Sequence, residues 1–225
     1  ARIGVIRKSQ FRVEFAAQVV MDCIWYVVHV SIFEILFLHA DEIAGWAREE
    51  IRVFLGFLFV SDAFMMMWMG QHWRFGRDLK DGKLDPFRVR PASTLFIYMF
   101  QQFSVEAVLN LVIGLAYLLW ALSQVGGLDS PAALLLVPCA IVLACWARVV
   151  TLVLFSIGEL LILNSEISKT VDRFFAAATD RPLDIFTRRV QLMLLYLVPV
   201  GVMTHAPASL VLGRTTPLMG LFHAA

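Results

Sequence analysis

The sequence predicts an all-α integral membrane protein, a multi-span helical bundle, and three observations carry that prediction. The 225 residues are 60% hydrophobic, with a mean hydropathy of +0.75, where a soluble domain is about half apolar. Only 16% are charged, against about a quarter in a soluble domain. The apolar residues gather into runs of about 20 or more, the length that crosses a bilayer as a helix. The net charge of +1 offers no basic field for nucleic acid. Cys23, Cys139 and Cys145 lie in apolar runs with no CxxC spacing. They indicate neither a zinc site nor a disulfide framework, and read as packing residues.

Residues 1–14 place Arg2, Arg7, Lys8 and Arg12 among Ile3, Val5, Ile6, Phe11 and Val13, the pattern of an amphipathic helix in the membrane interface. The remainder, 15–225, reads as one transmembrane domain. Its first span is expected over Phe15–Leu38 and its second over Val53–His72. A polar segment, 73–92, follows. The third span is expected over Ser93–Leu122, longer than the ~20 residues a bilayer needs and therefore tilted or projecting. "SQVGGLDSP" is a turn-rich loop. The fourth run, Ala132–Leu163, contains Pro138 and Arg148, and a kink is expected there. The last, Val190–Leu212, is broken by Pro199 and Pro207.

Lysine and arginine placement orients these spans. The first 14 residues carry four, and 73–92 carries six: Arg74, Arg77, Lys80, Lys83, Arg88 and Arg90. The 39–52 loop has only Arg48 and Arg52 beside four acidic residues, and the 123–131 loop has none. The N-terminus and 73–92 are thus expected in the cytoplasm. Segment 164–189 stays open at this level. Its Lys169, Arg173, Arg181, Arg188 and Arg189 read as a cytoplasmic loop, while "ISKTVDRFFAAA" reads equally as a helix with one shielded polar face.

"GRDLKDGKL" imitates a phosphate-binding loop but fails the motif. Five residues separate Gly76 from Gly82, and Leu84 stands where the magnesium-binding hydroxyl belongs. No HExxH, GxSxG or CxxC occurs, and the five histidines are scattered, so no common catalytic or metal centre is indicated. Charged residues inside the apolar runs are more informative. They are Asp22, Glu34, Asp62, Glu106, Arg148 and Glu159, and each costs roughly 2.5–3.5 kcal/mol at a bilayer centre on insertion scales. For Asp22, Glu34 and Asp62, pairing between helices or a place near the headgroups is the expected explanation. Glu159, with Glu166 and Asp172, is as readily the wall of a polar path.

"DLKDGKLDPFRVRPAS" resembles the signature I-x-x-G-x-L-D-x-x-L-x-R-P of permeases of type-2 ABC exporters, in the subgroup of uncharacterised ABC transport-system permeases. Leu79, Gly82, Leu84, Asp85, Arg90 and Pro91 match it, and Val89 stands one residue from the usual leucine. Ala44–Trp46 is similar to the family's first external loop. Pro182, Leu183, Ile185, Phe186, Pro199, Pro207, Ala208 and Gly213 follow its C-terminal pattern. The resemblance implies about five to six spans, with "ISKTVDRFFAAATDRP" as a polar fifth and 182–212 as a re-entrant outer segment. It also implies a final span and basic tail. The sequence as given stops at "LMGLFHAA", so a truncated last span is expected.

By the same resemblance, the chain is not itself an enzyme. It is the permease of an ATP-driven exporter in a cell membrane, bacterial in type, paired with an identical or paralogous permease. ATP and magnesium belong to a separate nucleotide-binding ATPase subunit. The coupling element is expected at Leu79, Asp81, Gly82, Leu84, Asp85, Phe87, Arg88, Arg90 and Pro91. Gly82 and Pro86 suit chain reversals, Pro91 suits the start of the third span, and Leu79, Leu84 and Phe87 supply an apolar anchor. Glu159, Glu166 and Asp172 are expected along the path, and Pro182, Pro199 and Pro207 at an outer gate. Two readings from other classes remain. One is an ion-driven secondary transporter with Asp22, Glu34, Glu106 and Glu159 as a proton relay, which the absence of inverted repeats disfavours. The other is a membrane scaffold whose basic loop binds anionic lipid.

Overall fold

The computed structural model describes residues 2–70, 72–85, 93–100, 103–104, 106–128, 131–162, 177–197 and 199–214, with the backbone alone for 2–14, 73, 76, 106, 159–162, 197 and 199. The described residues are nearly all helical. They form α1 (Arg2–Leu36), α2 (Arg48–Met69), α3 (Phe75–Lys80), α4 (Thr94–Phe100), α5 (Glu106–Gln124), α6 (Ala133–Ile162), α7 (Arg188–Leu192) and α8 (His205–Val211). Four stretches are long and apolar enough to cross a membrane: Phe15–Leu36, Arg48–Met69, Ala107–Gln124 and Ala133–Gly158. Arg188–Tyr196 and Val200–Val211 form a further pair bent by 79°. The fifth span that the resemblance implies, 167–182, lies outside the described residues over 167–176.

α2 is the axis of the bundle. In its most apolar window 72% of residues are buried, against 11% in α1 and 33% in each of α5 and α6. The acidic Glu49 and Glu50 occupy its first turn, where they oppose the positive end of the helix dipole, and Glu50 accepts the Ala47 N–H at 2.9 Å. α2 meets α5 through glycines. A Cβ on Gly56 would stand 2.8 Å from the Cα of Leu118, and one on Gly114 would stand 3.2 Å from the backbone of Phe59 and Val60. Small residues let membrane helices approach backbone to backbone, where dispersion rather than hydrophobic exclusion holds them. Around this seam pack Phe54, Phe57, Phe59, Leu118, Ala121 and Leu122.

Two expected boundaries change. No helix break separates 1–14 from the first span, since α1 runs through Arg2–Leu36 without interruption. The third span is not one long helix over Ser93–Leu122. Ser104 ends that continuity, because its N–H bonds the Met67 carbonyl at 3.0 Å and its hydroxyl caps α5 through the Ala107 N–H at 3.4 Å. The membrane-length part is therefore Ala107–Gln124, and α4 is a separate short helix. α6, by contrast, carries Pro138 inside one continuous helix.

The first loop turns tightly. Ala44 and Gly45 both have positive φ, 52° and 78°, the conformation of a type I′ turn. Ile43 and Trp46 exchange backbone hydrogen bonds across it at 3.0 Å each. The turn drives Trp46 inward, where it is fully buried. Its indole N–H donates to Asp184 at 2.7 Å. At the far end of the same segment α8 closes with Gly213 at φ 66° and the Arg214 N–H on the Ser209 carbonyl, a glycine cap. That cap sets the Arg214 guanidinium over the Trp46 ring, 4.5 Å from its centroid, on the Gly45 carbonyl and on Glu50. Both ends of 184–214 thus meet the first loop. The described part of 164–189 therefore ends beside the first loop.

Candidate functional site: the α3 turn and the interior charges

At the opposite end of α2, a 3-10 turn (His72–Arg74) leads into α3. Gly82 then adopts φ 70° and the Lys83 N–H bonds the Asp78 carbonyl at 3.0 Å, which ends the helix in a left-handed glycine cap. The reversal expected at Gly82 is therefore built by backbone chemistry. The apolar residues of the turn behave otherwise than expected. Leu84 is 2% exposed and packs with Met65, Met69, Phe75, Tyr98 and Met99, while Leu79 joins Val149, Leu152 and Val153 around the same cluster. Leu84 is not a free anchor for a partner. It fastens the turn to α2, α4 and α6, because so large an apolar side chain has nowhere else to leave water. The exposed rim is polar: Arg77, Lys80, Asp81, Gly82, Lys83 and Asp85.

Asp78 ties the rim to the bundle. Lys83 Nζ donates to it at 2.8 Å and the Tyr98 hydroxyl at 2.7 Å, while Lys83 also reaches Asp81 at 3.1 Å. The Lys83 ammonium, and then the Tyr98 hydroxyl, hold the Asp78 carboxyl below its ordinary range, and Asp78 with Asp81 raises the Lys83 ammonium in return. A depressed carboxyl stabilises the fold fully above its unfolded value, about pH 4, and loses that contribution as pH falls through the lowered folded value. Amide hydrogen exchange checks this. Protection of the Gly82–Asp85 amides should hold down to about pH 4 and decline only below it. Asp78→Asn should already lack part of that protection at neutral pH.

Four of the interior charges find partners, while Glu106 and Glu159 are placed by their backbone alone. Asp62 of α2 pairs with Arg148 of α6 deep in the bundle, and Arg148 also approaches the Met203 sulfur at 3.7 Å. Glu34 takes the Arg52 guanidinium at 2.7 Å and lies 3.6 Å from Arg48. Asp22 accepts Gln18 at 2.9 Å and Asn110 at 2.5 Å. No cluster of histidine, cysteine and carboxylate residues able to hold a metal occurs among the described residues.

Of the residues expected at the coupling element, Leu79, Asp81, Gly82, Leu84 and Asp85 meet in this turn, while Phe87, Arg88, Arg90 and Pro91 lie outside the described residues. Of the expected path, Glu166 and Asp172 lie outside them, and Glu159 is placed by its backbone alone, in the last turn of α6. Of the expected gate, Pro182 and Pro207 are buried and the Pro199 backbone opens a 3-10 turn. Between them Gly201 is pressed against Leu183 so closely that a Cβ would stand 2.3 Å from it. Asp78, Tyr98, Asp184, Arg214 and Asn110 were not singled out in the sequence. Each acts through a partner at least 20 positions away or across a turn, and no local pattern announces such pairs.

A family model described as ABC-2 family transporter protein matches residues 23–225. No curated protein and no solved structure matches the chain. A match over nearly the whole chain, on a bundle with several membrane-length helices, identifies the protein as a multi-pass membrane transport subunit belonging to the ABC-2 transporter permease family.

Proposed function

We propose that this permease is driven by ATP hydrolysed on a separate subunit, and that segment Leu79–Pro91 is where the two meet. The observation that carries the reading is the construction of the α3 turn. Its rim is charged and exposed, while Leu84, Phe75 and the Asp78–Tyr98 hydrogen bond lock it to α2, α4 and α6. A load applied at the rim then moves three helices rather than bending a loop. An ATPase that binds one orientation of this turn better than another shifts the permease between states by that difference in affinity. ATP and magnesium sit on the ATPase, not on this chain. In this reading the N-terminus and the turn face the cytoplasm of a cell membrane. A second permease, identical or paralogous, completes the path along Glu159, Glu166 and Asp172. Pro182, Pro199 and Pro207 shape the outer gate, and the direction of transport is export.

The test is gentle affinity purification of the tagged chain from native membranes, with mass spectrometry of what accompanies it. A nucleotide-binding subunit should co-purify. Asp81→Lys with Asp85→Lys, both on the exposed rim, should reduce its recovery about tenfold by reversing two charges of the pattern the contact is matched to, while thermal unfolding of the permease stays unchanged. Recovery of the ATPase at full yield with the doubly altered rim would remove the turn from the contact. Absence of any ATPase under conditions that keep other membrane complexes intact would end the ATP-driven reading.

A further inference from the structure

Between α1, α2 and α5 lies a cavity of about 450 Å³ with an unusual wall. Its polar residues are Gln18, Asp22, His72, Ser104 and Asn110, and no lysine or arginine lines it among the described residues. One oxygen of Asp22 accepts Gln18 Nε2 at 2.9 Å and the other accepts Asn110 Nδ2 at 2.5 Å. The second bond fixes the Asn110 amide, because turning it over would set its oxygen against the carboxylate. Asn110 is 1% exposed, and its Oδ1 has no hydrogen-bond partner among the described residues. A buried acceptor left unmatched is a standing cost that a native fold rarely carries without a use. His72 adds a third acceptor. Its Nδ1 lies 3.0 Å from the Met69 carbonyl, so the ring proton sits there and Nε2 keeps its lone pair.

Among the described residues the wall therefore offers at least three accepting groups, one of them anionic, and no cation. The complement is a positive group with several N–H donors. A primary ammonium has three, whereas a quaternary ammonium has the charge and none. The volume is far above the ~30 Å³ share of one water, so a bare ion would leave most of it empty. Met65, Met66, Phe103 and Ala107 provide an apolar wall beside the polar one, as an alkyl neighbour of the ammonium requires.

We propose that this cavity binds the primary ammonium group of an amphipathic molecule, with Asp22 as counter-ion and Asn110 Oδ1 and His72 Nε2 as acceptors. The site adjoins the α3 turn through Met65 and His72 but uses none of its charged rim, and it needs neither ATP nor a second subunit to be occupied. Its ammonium comes either from an aminophospholipid headgroup or from a free amphipathic amine.

The full chain in phosphatidylcholine nanodiscs is titrated with dodecylammonium and, separately, with dodecyltrimethylammonium, each below its micellar concentration. Dodecylammonium should saturate, and the trimethyl analogue should bind about tenfold more weakly for want of N–H donors. Asp22→Asn should weaken dodecylammonium by at least about tenfold. Met66→Trp, which fills the cavity without touching the acceptors, should do the same, and both variants are accepted only if their thermal unfolding matches the parent. Equal binding of the two probes, or unchanged binding by both variants, overturns the proposal. Native mass spectrometry from mixed phosphatidylethanolamine and phosphatidylcholine nanodiscs then separates the sources. Phosphatidylethanolamine retained by the parent and lost by Asp22→Asn assigns a lipid headgroup. Equal loss of both lipids, with dodecylammonium still bound, assigns a free amine.

Discussion

Gly56→Leu should abolish the folded protein. The Cβ alone would stand 2.8 Å from the Leu118 Cα and from its Cδ1, and a backbone atom cannot swing aside as a side-chain tip can. α2 and α5 must separate, and the seam of Phe54, Phe59, Leu118 and Leu122 opens with them. Overpacking a close-packed site costs about 1–3 kcal/mol where neighbours yield, and more where they do not. Here the obstruction is backbone, so the larger cost applies, and against a total stability of about 5–15 kcal/mol it is enough to unfold a marginal bundle. The control is Gly158→Leu on α6, where a Cβ meets nothing within 4 Å. That change should be neutral or slightly stabilising, since glycine costs about 1 kcal/mol inside a helix. Detergent-solubilised yield and thermal unfolding of the two variants provide the comparison. Equal behaviour would mean that α2 and α5 do not meet at Gly56.

The second large effect concerns Asp62 and Arg148. Asp62→Leu should destabilise by about 3–5 kcal/mol, because it leaves a guanidinium in the bundle without its counter-charge. Arg148→Met should cost a similar amount for the mirror reason. The two changes together should restore most of the loss, since a buried pair replaced by apolar groups of like volume is often neutral or better. The restoration is the informative quantity, as it isolates the coupling between the two side chains. Additive losses would show that the pair does not interact. Full stability with loss of transport would instead make the pair part of the working cycle rather than a static contact.

Fold class was legible because a bilayer imposes it. Once 60% of residues are hydrophobic and gathered in long runs, closed backbone hydrogen bonding leaves helices as the direct solution. Gly82 was legible for a similarly local reason, since a left-handed cap within a polar stretch selects glycine. The break before Ser104 was not, because hydropathy carries straight through "FIYMFQQFSVEAVL" and the cap depends on a carbonyl at Met67. The direction of Leu84 was not legible either. A leucine among charges reads as an anchor for a partner, and only the arrangement of Phe75, Tyr98 and Met99 reveals that the chain supplies its own pocket. The course of 188–211 was not legible for a third reason, since hydropathy gives the apolar run but not the 79° bend between Arg188–Tyr196 and Val200–Val211.

The contacts of Trp46 also set a schedule for biogenesis. Its indole donor meets a carboxylate 138 positions later, and Glu50 and Gly45 meet Arg214 at separations of 164 and 169. At about 5–20 residues per second, the ribosome needs on the order of ten to thirty seconds to supply those partners after the first hairpin has emerged. During that interval α1 and α2 can already insert, but the tryptophan beneath their loop has no lid. The nascent hairpin must wait with a bulky aromatic uncovered, and closure comes only when the last described helix arrives. Ribosomes stalled short of Arg214 would therefore hold a half-built permease whose first loop is open to chaperones and proteases, and release past that point would shut it.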